Sequence, residues 1–393
     1  MEHTHDIPSI PEEYLKYLRL YWMEPTIYEF NSEIKEIDKN KIRLKDNYFY
    51  PEGGGQLSDR GSLSLKSRKY HVNDVSSEGD EIWLHLTNHD LEEGRKVHAQ
   101  IDSLRRYSLS QHHTGQHLVS AVFHDLFGND TTRAEINTEY SIVELNNSPS
   151  FEDLLIVQNK ISELIHDNLE VQNKFYLSSE TIDIPLRGTP EVQNLYRIVA
   201  IGNYDFNPCG GTHLTTTGAL ENIYFSKIES KKLRFMVGQP AVKVLNKQVI
   251  DNLNLARFLK VPVDELSDRI VDLSDKYEKL FKSHRKMTED FIKLKIISEK
   301  FEKIGSYKIK FIELDYLDYS QLNSTIPQLN PQEGIFLMDK AGLFAFYSGS
   351  EILADQLKKA FLKQKIKCGG KGTKIMGNSS ISFDKKLIKS IIG

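Results

Sequence analysis

Two pairs of potential metal ligands carry the most distinctive chemistry in this sequence. His113 and His117 stand four residues apart in a segment with helical spacing, so both imidazoles project from one face of the expected helix. Cys209 and His213 are also four apart, but the two glycines between them indicate a tight turn. Together the pairs offer three imidazoles and one thiolate. Zn²⁺ prefers this mixture of nitrogen and sulfur, whereas Mg²⁺ prefers oxygen ligands.

Two neighbouring histidines are potential competitors for the metal. His112 points about 100° away from His113 around the helix and has no histidine four residues on, so we expect it at the surface. His124 remains an alternative ligand. Thr114 occupies the position where a zinc protease carries its glutamate base, which argues against protease chemistry.

The elements around these ligands predict an α+β fold. Residues 27–100 alternate polar and apolar residues in short runs broken by Gly, Asn and Asp, which predicts a small antiparallel sheet or barrel. The histidine helix should span about five turns and end at Gly128. A second helix should begin after Ser150 as N-cap, and strands should return around the cysteine turn.

A heptad pattern dominates the region that follows. From Leu266 to Phe301, mostly apolar residues alternate spacings of four and three, which predicts a coiled coil or a helical hairpin ending at Gly305. Self-association as a homodimer and a monomeric hairpin both fit this pattern. The last residues predict a small α/β module. We therefore expect four regions, a β-barrel domain (1–95), a zinc-binding α+β domain (96–240), a helical coiled-coil region (241–304) and a C-terminal α/β domain (305–393).

The composition is that of a globular chain. Charged residues make up 27%, hydrophobic residues 39%, and the mean hydropathy is −0.44. The chain has no apolar run of the roughly 20 residues that a membrane helix needs. Its start, "MEHTHDIPSIPEEY", lacks the basic and apolar parts of a secretory signal. We expect a cytoplasmic protein without a membrane span, with two reduced cysteines.

Charge is distributed unevenly along the chain, whose net charge is −4. Residues 351–393 hold ten lysines against three carboxylates. This excess predicts either contact with a polyanion or a solvated surface. Lys367 and Lys371 flank a glycine loop within this segment.

Three motifs resemble those of one known family. "HHTGQHLVSAVF" (112–123) and "NPCGGTHLTTTG" (207–218) are similar to the paired zinc motifs of the alanyl-tRNA synthetase editing domain and of the alanyl-tRNA editing proteins. "FYPEGGGQLSDRG" (49–61) looks like their third signature. The resemblance covers residues 20–240, and the long helix and terminal glycine-lysine loop look like the synthetase's coiled coil and C-terminal domain. Only about 20 residues precede this region, so we do not expect a full synthetase.

The resemblance implies hydrolysis of tRNA(Ala) wrongly charged with serine or glycine. It implies that His113, His117, Cys209 and His213 bind one zinc ion. Gln56 would line the pocket beside the amino acid, and the preceding glycines, Gly53, Gly54 and Gly55, would let the backbone approach the terminal adenosine.

Further residues are candidates for substrate contacts. A site that hydrogen-bonds the serine hydroxyl discriminates strongly against alanine, and Gln56 and Thr26 are candidates for that bond. Arg105 and Arg106 precede the metal helix and would meet phosphates, as would Lys367 and Lys371. Asp205 and Arg197 match polar positions of the family, although a surface ion pair is an alternative interpretation.

Some alternatives remain open. Four protein ligands fill a tetrahedral zinc site, whereas catalytic zinc keeps a position for water. Either the coordination changes when water enters, or the zinc anchors the tRNA end and water is activated elsewhere. An S-ribosylhomocysteine lyase would need glutamate where Gln116 stands. A non-catalytic RNA-binding protein, whose zinc only stabilises the fold, is the second rival.

Overall fold

The computed structural model describes residues 10–190, 194–322, 324–379 and 385–392. The expectation about an N-terminal leader lies largely outside these residues, as does part of the last predicted helix. The chain divides into two compact units, Met1–Leu253 and Asn254–Gly393. The four boundaries expected from the sequence remain predictions.

The first unit begins with a short helix and a closed β-barrel, which confirms the predicted N-terminal barrel. The strands follow the order β1-β2-β5-β4-β3-β6, and every neighbouring pair is antiparallel. Alternate residues such as Ile34, Leu63 and Leu84 point inward and form the barrel core. The elements are α1 (Leu20–Met23), β1 (Glu29–Asp38), β2 (Lys41–Leu44), β3 (Gly61–Leu65), β4 (Arg68–Glu78), β5 (Glu81–Leu86) and β6 (Lys96–Ile101).

A long helix, α2 (Ser103–Phe127), follows the barrel and carries the two metal-motif histidines. Asp102 caps its start, and Gly128 ends it in the left-handed conformation at φ 58°. The predicted end at Gly128 is confirmed, but its 25 residues make about seven turns rather than five. Most of the helix is buried, because protein packs on nearly all of its faces.

Two sheets and a second helix surround α2. One sheet has the order β12-β13-β8-β7 and the other β11-β10-β9. The predicted N-cap of the next helix, α3, is confirmed, since Ser150 and Asp153 form a capping box. These elements are β7 (Thr131–Ile136), β8 (Ser141–Leu145), α3 (Phe151–His166), β9 (Val171–Leu177), β10 (Leu195–Ile201), β11 (Asp205–Pro208), β12 (Ile223–Glu229) and β13 (Lys232–Val237).

Two helices come next along the chain, α4 (Gln239–Leu259) and α5 (Leu266–Ser298). The expected end of the long helix at Gly305 is wrong, because Glu299 turns to extended backbone and a strand begins at Glu302. Heptad positions such as Tyr277, Leu280 and Met287 are exposed in the chain. A coiled coil therefore remains a prediction.

The second unit contains a mixed six-stranded sheet in the order β14-β15-β16-β17-β19-β18. Among the strand pairs of the described residues in this sheet, only β15 and β16 run parallel. Helix α6 packs on the sheet through Leu353, Leu357 and Phe361. The elements are β14 (Glu302–Ile304), β15 (Tyr307–Leu314), β16 (Glu333–Asp339), β17 (Leu343–Ser348), α6 (Glu351–Lys363), β18 (Lys367–Gly369), β19 (Lys374–Asn378) and α7 (Lys385–Ile392).

These elements make the fold α+β, as expected. Among the residues that the structure describes, no helix has the length and apolar character needed to cross a membrane.

Candidate metal centre and cavity

The two predicted ligand pairs meet in the first unit. The potential ligand atoms of His113, His117, Cys209 and His213 all lie within 4.8 Å of one another. Cys209 Sγ is 3.4 Å from His113 Nε2 and 3.3 Å from His213 Nε2. A tetrahedral zinc with ordinary bond lengths separates its sulfur and nitrogen ligands by about 3.5 Å. The donor set and its spacing therefore fit zinc.

Two imidazoles are hydrogen-bonded through the nitrogen that faces away from the cluster, and the third faces a carboxylate beyond hydrogen-bond distance. His113 Nδ1 lies 2.7 Å from Gln56 Oε1, and His213 Nδ1 lies 3.2 Å from Thr114 Oγ1. His117 Nδ1 faces Asp205 Oδ2 at 3.6 Å. Such outer partners fix the ring orientation of metal-binding histidines.

The cysteine turn fits against His113 because residue 211 is glycine. A Cβ at Gly211 would lie 2.1 Å from His113 Cε1 and 2.2 Å from its Nδ1. Gly210 differs, since nothing lies within 4 Å of a Cβ there. Neither glycine has positive φ within the described residues. Close approach to the imidazole, rather than backbone conformation, thus requires Gly211.

Charge in the cluster favours the ligand form of the cysteine. Burial alone would raise the pKa of Cys209, but the imidazoles of His113, His213 and His117 hold it well below its usual value. The pKa of His213 lies well below normal, because burial disfavours its charged form and outweighs the attraction of Cys209. A thiolate beside a neutral imidazole is the state that binds a metal ion.

A cavity of about 830 Å³ adjoins the cluster. His113, His117 and Cys209 line it, as do four aromatic residues that we call the aromatic wall, Tyr17, Tyr21, Trp22 and Tyr50. Its volume is in the range of small-molecule sites. Other lining residues include Arg19, Glu52, Gly53, Gly54, Asp80, Gln116, Asn194, Arg197, Asn207 and Gly210.

Gln56 lies behind the metal ligands, although the sequence predicts it in the cavity wall. It is fully buried, and its Oε1 accepts from the backbone N–H of Thr212 at 3.1 Å and contacts His113. Its Nε2 donates to Thr212 Oγ1 at 2.9 Å. The side chain contacts a ligand and not the cavity, because these partners enclose its amide.

The glycines before Gln56 divide into two kinds. Gly53 and Gly54 line the cavity, as expected. Gly55 packs on β7, where a Cβ would lie 2.4 Å from the Ala134 carbonyl oxygen. Thr26 sits in an exposed turn after α1 and is not among the lining residues. Its position does not bring it to the metal centre.

The two arginines before the metal helix have different surroundings. Arg106 is fully buried and pairs with buried Asp59, and it also donates to the carbonyls of Pro25 and Tyr48. Its predicted phosphate contact is wrong, because the guanidinium is enclosed. Arg105 is half-buried and donates to the Ser58 carbonyl at 2.9 Å.

Asp205 is likewise buried rather than on a tRNA-binding surface. It pairs with Arg187, with Nε 2.7 Å from Oδ1, and lies beside His117. The surface ion pair with Arg197 is wrong, since Arg197 is itself buried and donates to Asn173, Cys209 and Gly211. Both residues support the metal motifs.

The neighbouring histidines do not join the cluster. His112 is buried, with Nδ1 2.9 Å from the Ser108 carbonyl, so its expected surface position is wrong. Burial lowers its pKa. His124 is exposed and pairs with Asp130.

The predicted lysines of the second unit, Lys367 and Lys371, are exposed around the β18–β19 loop. Gly370 and Gly372 in this loop have positive φ, at 142° and 64°. The exposure leaves both ammonium groups accessible to a polyanion.

Sequence reasoning missed three residues of the centre, Trp22, Asn173 and Arg187. Their partners lie far along the chain, so no spacing rule links them to the metal motifs. The scarcity of tryptophan, which occurs twice, was the one available signal.

Comparison with known proteins defines the class first. The model of class II (A) tRNA synthetases matches residues 5–105, and that of the threonyl and alanyl tRNA synthetase second additional domain matches residues 196–234. These segments hold the barrel and the cysteine motif. Both matched models come from aminoacyl-tRNA synthetases, which is the class of protein that these two segments resemble.

Individual relatives narrow this class. The alanyl-tRNA editing protein AlaX-L of Pyrococcus horikoshii is 29% identical, over 90% of this chain and 91% of its own. Alanine–tRNA ligases of Sulfurisphaera tokodaii and Thermoplasma acidophilum are 24% and 27% identical over 98% and 87% of this chain. The chain spans only 45% and 41% of those ligases. The chain is thus similar to an alanyl-tRNA editing protein over nearly the whole length of both chains, and the resemblance inferred from the motifs is confirmed.

Proposed function

We propose that this protein is an aminoacyl-tRNA deacylase that removes serine, or glycine, wrongly attached to tRNA(Ala). The observation that carries the proposal is the His₃Cys cluster at the wall of a cavity. A zinc that only stabilised the fold would need no adjoining cavity. The kinship with AlaX-L supports the same activity.

His113, His117, Cys209 and His213 would hold the zinc ion. When bound, zinc would supply a positive charge that polarises or anchors the ester end of the tRNA. Gln56, Asp205 and Thr114 keep the imidazoles in place, which preorganises the centre before substrate arrives. We therefore assign Gln56 a positioning role through His113.

The rest of the cavity would hold the terminal nucleotide and the amino acid. Within the aromatic wall, Tyr17 is the residue that is not buried, and its ring would offer a face on which the terminal adenine stacks. Gly53 and Gly54 leave room for the ribose close to the backbone. Gln116 and Asn207 line the cavity beside the metal ligands and offer amides for the serine hydroxyl. A site built around that hydroxyl spares the alanine ester.

The remaining parts would bind the tRNA body and a second copy. Lys367 and Lys371 would contact phosphates, which sets position rather than sequence identity. The exposed heptad positions of α5 would pair with those of a second chain, giving a homodimer. An editing factor of this kind would act in the cytoplasm, where tRNA is charged.

The test is incubation of Ser-tRNA(Ala), Gly-tRNA(Ala) and Ala-tRNA(Ala) with the wild type and with Cys209→Ala. We expect rapid loss of the serine ester, sparing of the alanine ester, and loss of turnover in the variant. Equal lability of all three esters, or stability of all three with the wild type, would remove the assignment.

Gln56→Ala separates the deacylase from an RNA-binding protein with a structural zinc. The deacylase should bind tRNA normally and turn over more slowly, because His113 loses its orienting contact. A wild type that binds tRNA without hydrolysing any ester would favour the rival.

A further inference from the structure

Three consecutive backbone carbonyls of the cysteine turn are held by two side chains from elsewhere. Arg197 Nη1 donates to the Cys209 carbonyl at 2.8 Å and to the Gly211 carbonyl at 2.7 Å. Trp22 Nε1 donates to the Gly210 carbonyl between them at 2.8 Å. Each carbonyl around the sulfur ligand therefore has a fixed partner.

A single asparagine joins the two donors. Asn173 Oδ1 accepts from Arg197 Nε at 3.0 Å, and Asn173 Nδ2 donates to the Trp22 carbonyl at 2.7 Å. The Arg197 guanidinium also lies 5.5 Å from the centre of the Trp22 ring. The exposed fractions of Arg197 and Trp22 are 6% and 9%. Both donors are thus nearly buried where they meet the cysteine turn.

We infer that Trp22, Arg197 and Asn173 are positioning residues that hold the cysteine turn in its metal-binding conformation and so slow the release of the metal. The inference rests on the metal site of the proposed function and extends it to α1. Because Trp22 lies in α1, the inference makes this helix part of the metal centre, although α1 precedes the barrel in the chain.

The turn needs such support because it contains two glycines, which restrict the backbone little. Its own backbone adds one contact near the sulfur, from Gly211 N–H to Cys209 Sγ at 3.4 Å. Loss of an outer partner of a metal site typically costs 10–100-fold in metal affinity. Gly210 lines the cavity, so water can solvate its carbonyl when the indole N–H is removed. The fold should then survive while the turn loosens.

The experiment uses the full chain loaded with Co²⁺, whose thiolate absorption band reports Cys209 as a ligand. A chelator in excess removes the metal, and decay of the band gives the release rate. Trp22→Phe keeps the ring and removes only the donor. Trp83→Phe is the matched control, because Trp83 is also buried, at 7% exposure, and its ring on β5 packs against Arg43 and does not line the cavity. Arg197→Lys keeps the charge but not the forked geometry.

We expect release about tenfold faster or more for Trp22→Phe and Arg197→Lys, with an unchanged rate for Trp83→Phe. Unchanged release from Trp22→Phe, in a protein that keeps its circular dichroism spectrum, would overturn the inference. So would equal acceleration by Trp83→Phe, since that would indicate general loosening.

These outcomes are separable from failure of the proposed function. A wild type that retains Co²⁺ but hydrolyses no ester would refute deacylation and leave the positioning role intact. If the wild type hydrolyses Ser-tRNA(Ala) and Trp22→Phe releases metal at the wild-type rate, the positioning role is refuted and deacylation stands. Failure of the wild type to bind Co²⁺ through the thiolate would refute the inference together with the zinc site.

Discussion

Charged residues have different surroundings in two regions of the molecule, the interior of the first unit and the surface around the β18–β19 loop of the second unit. In the first unit, Arg106 and Asp205 are buried with partners from within the protein, and Asp205 lies beside His117 of the candidate metal centre. In the second unit, Lys367 at the start of β18 and Lys371 in the loop between β18 and β19 are exposed to solvent. Charged residues therefore support the fold in the first region and are available to a partner in the second. Substitutions of the buried charges should change stability, whereas substitutions of the exposed lysines should change binding.

The largest expected effect is on stability, from Arg106→Ala. The change leaves the Asp59 carboxylate buried without its ion pair, which costs about 3–5 kcal/mol in the free energy of unfolding. Denaturant unfolding followed by circular dichroism measures this loss. Replacement of Lys367 and Lys371 with alanine should leave the free energy of unfolding unchanged.

Arg105→Ala is the matched control, because the neighbouring arginine is half-buried and makes one side-chain bond to a carbonyl. It should cost about 0.5–1.5 kcal/mol. Equal losses from the two variants would show that Arg106 is not the buried structural charge described above.

The next effect concerns metal binding and comes from Gly211→Ala. The added methyl would meet the His113 ring at 2.1 Å, so either the turn or the imidazole must move. We expect metal affinity to fall about 10–100-fold, because ligand geometry changes. Competition with a chelator, read by metal content after gel filtration, measures it.

Gly210→Ala provides the control on the adjacent residue, since a Cβ there meets nothing within 4 Å. Its metal affinity should match the wild type. If both variants lost metal equally, the requirement for glycine at both positions would come from backbone flexibility and not from contact with His113.

These differences show what sequence can predict about the site. The four ligands were accessible because a spacing of four on a helix and around a glycine turn brings side chains together. The outer partners of these ligands could not be predicted from the sequence. Asp205 comes close to His117, and Gln56 to His113, only when the barrel and the sheets pack together. The set of potential metal ligands was thus predicted correctly, whereas the roles of the charged residues around it were not.

The fold was predictable for a similar reason. Period-two alternation over residues 27–100 predicted a sheet or barrel correctly, whereas the surface position of His112 was wrong. Helical spacing predicts one buried face, but α2 is enclosed on nearly all sides by sheets and a helix. Such burial depends on tertiary packing that a local pattern does not contain.

A smaller effect, on binding alone, is expected from replacing Lys367 and Lys371 with alanine. The double variant should bind tRNA more weakly and lower the slope of log K against log salt by about 1 for each phosphate that a lysine no longer neutralises. Filter binding over a salt series measures both, with the unfolding curve as a control. An unchanged slope would mean that the exposed lysines only solvate the surface.

The smallest effect is expected from Thr26→Val, which removes a hydroxyl in an exposed turn. Because Thr26 does not line the cavity, the ratio of Ser-tRNA(Ala) to Ala-tRNA(Ala) hydrolysis should stay unchanged, and the free energy of unfolding should change by at most about 0.5 kcal/mol. Gln116→Leu is the informative contrast, because Gln116 lines the cavity and its Oε1, on the amide whose Nε2 donates to Ser120, is the atom that we propose accepts from the serine hydroxyl. It should reduce the ratio. A reduced ratio in Thr26→Val instead would mean that the turn reaches the substrate once tRNA binds. Serine would then be recognised by an exposed residue and not by the buried cavity lining.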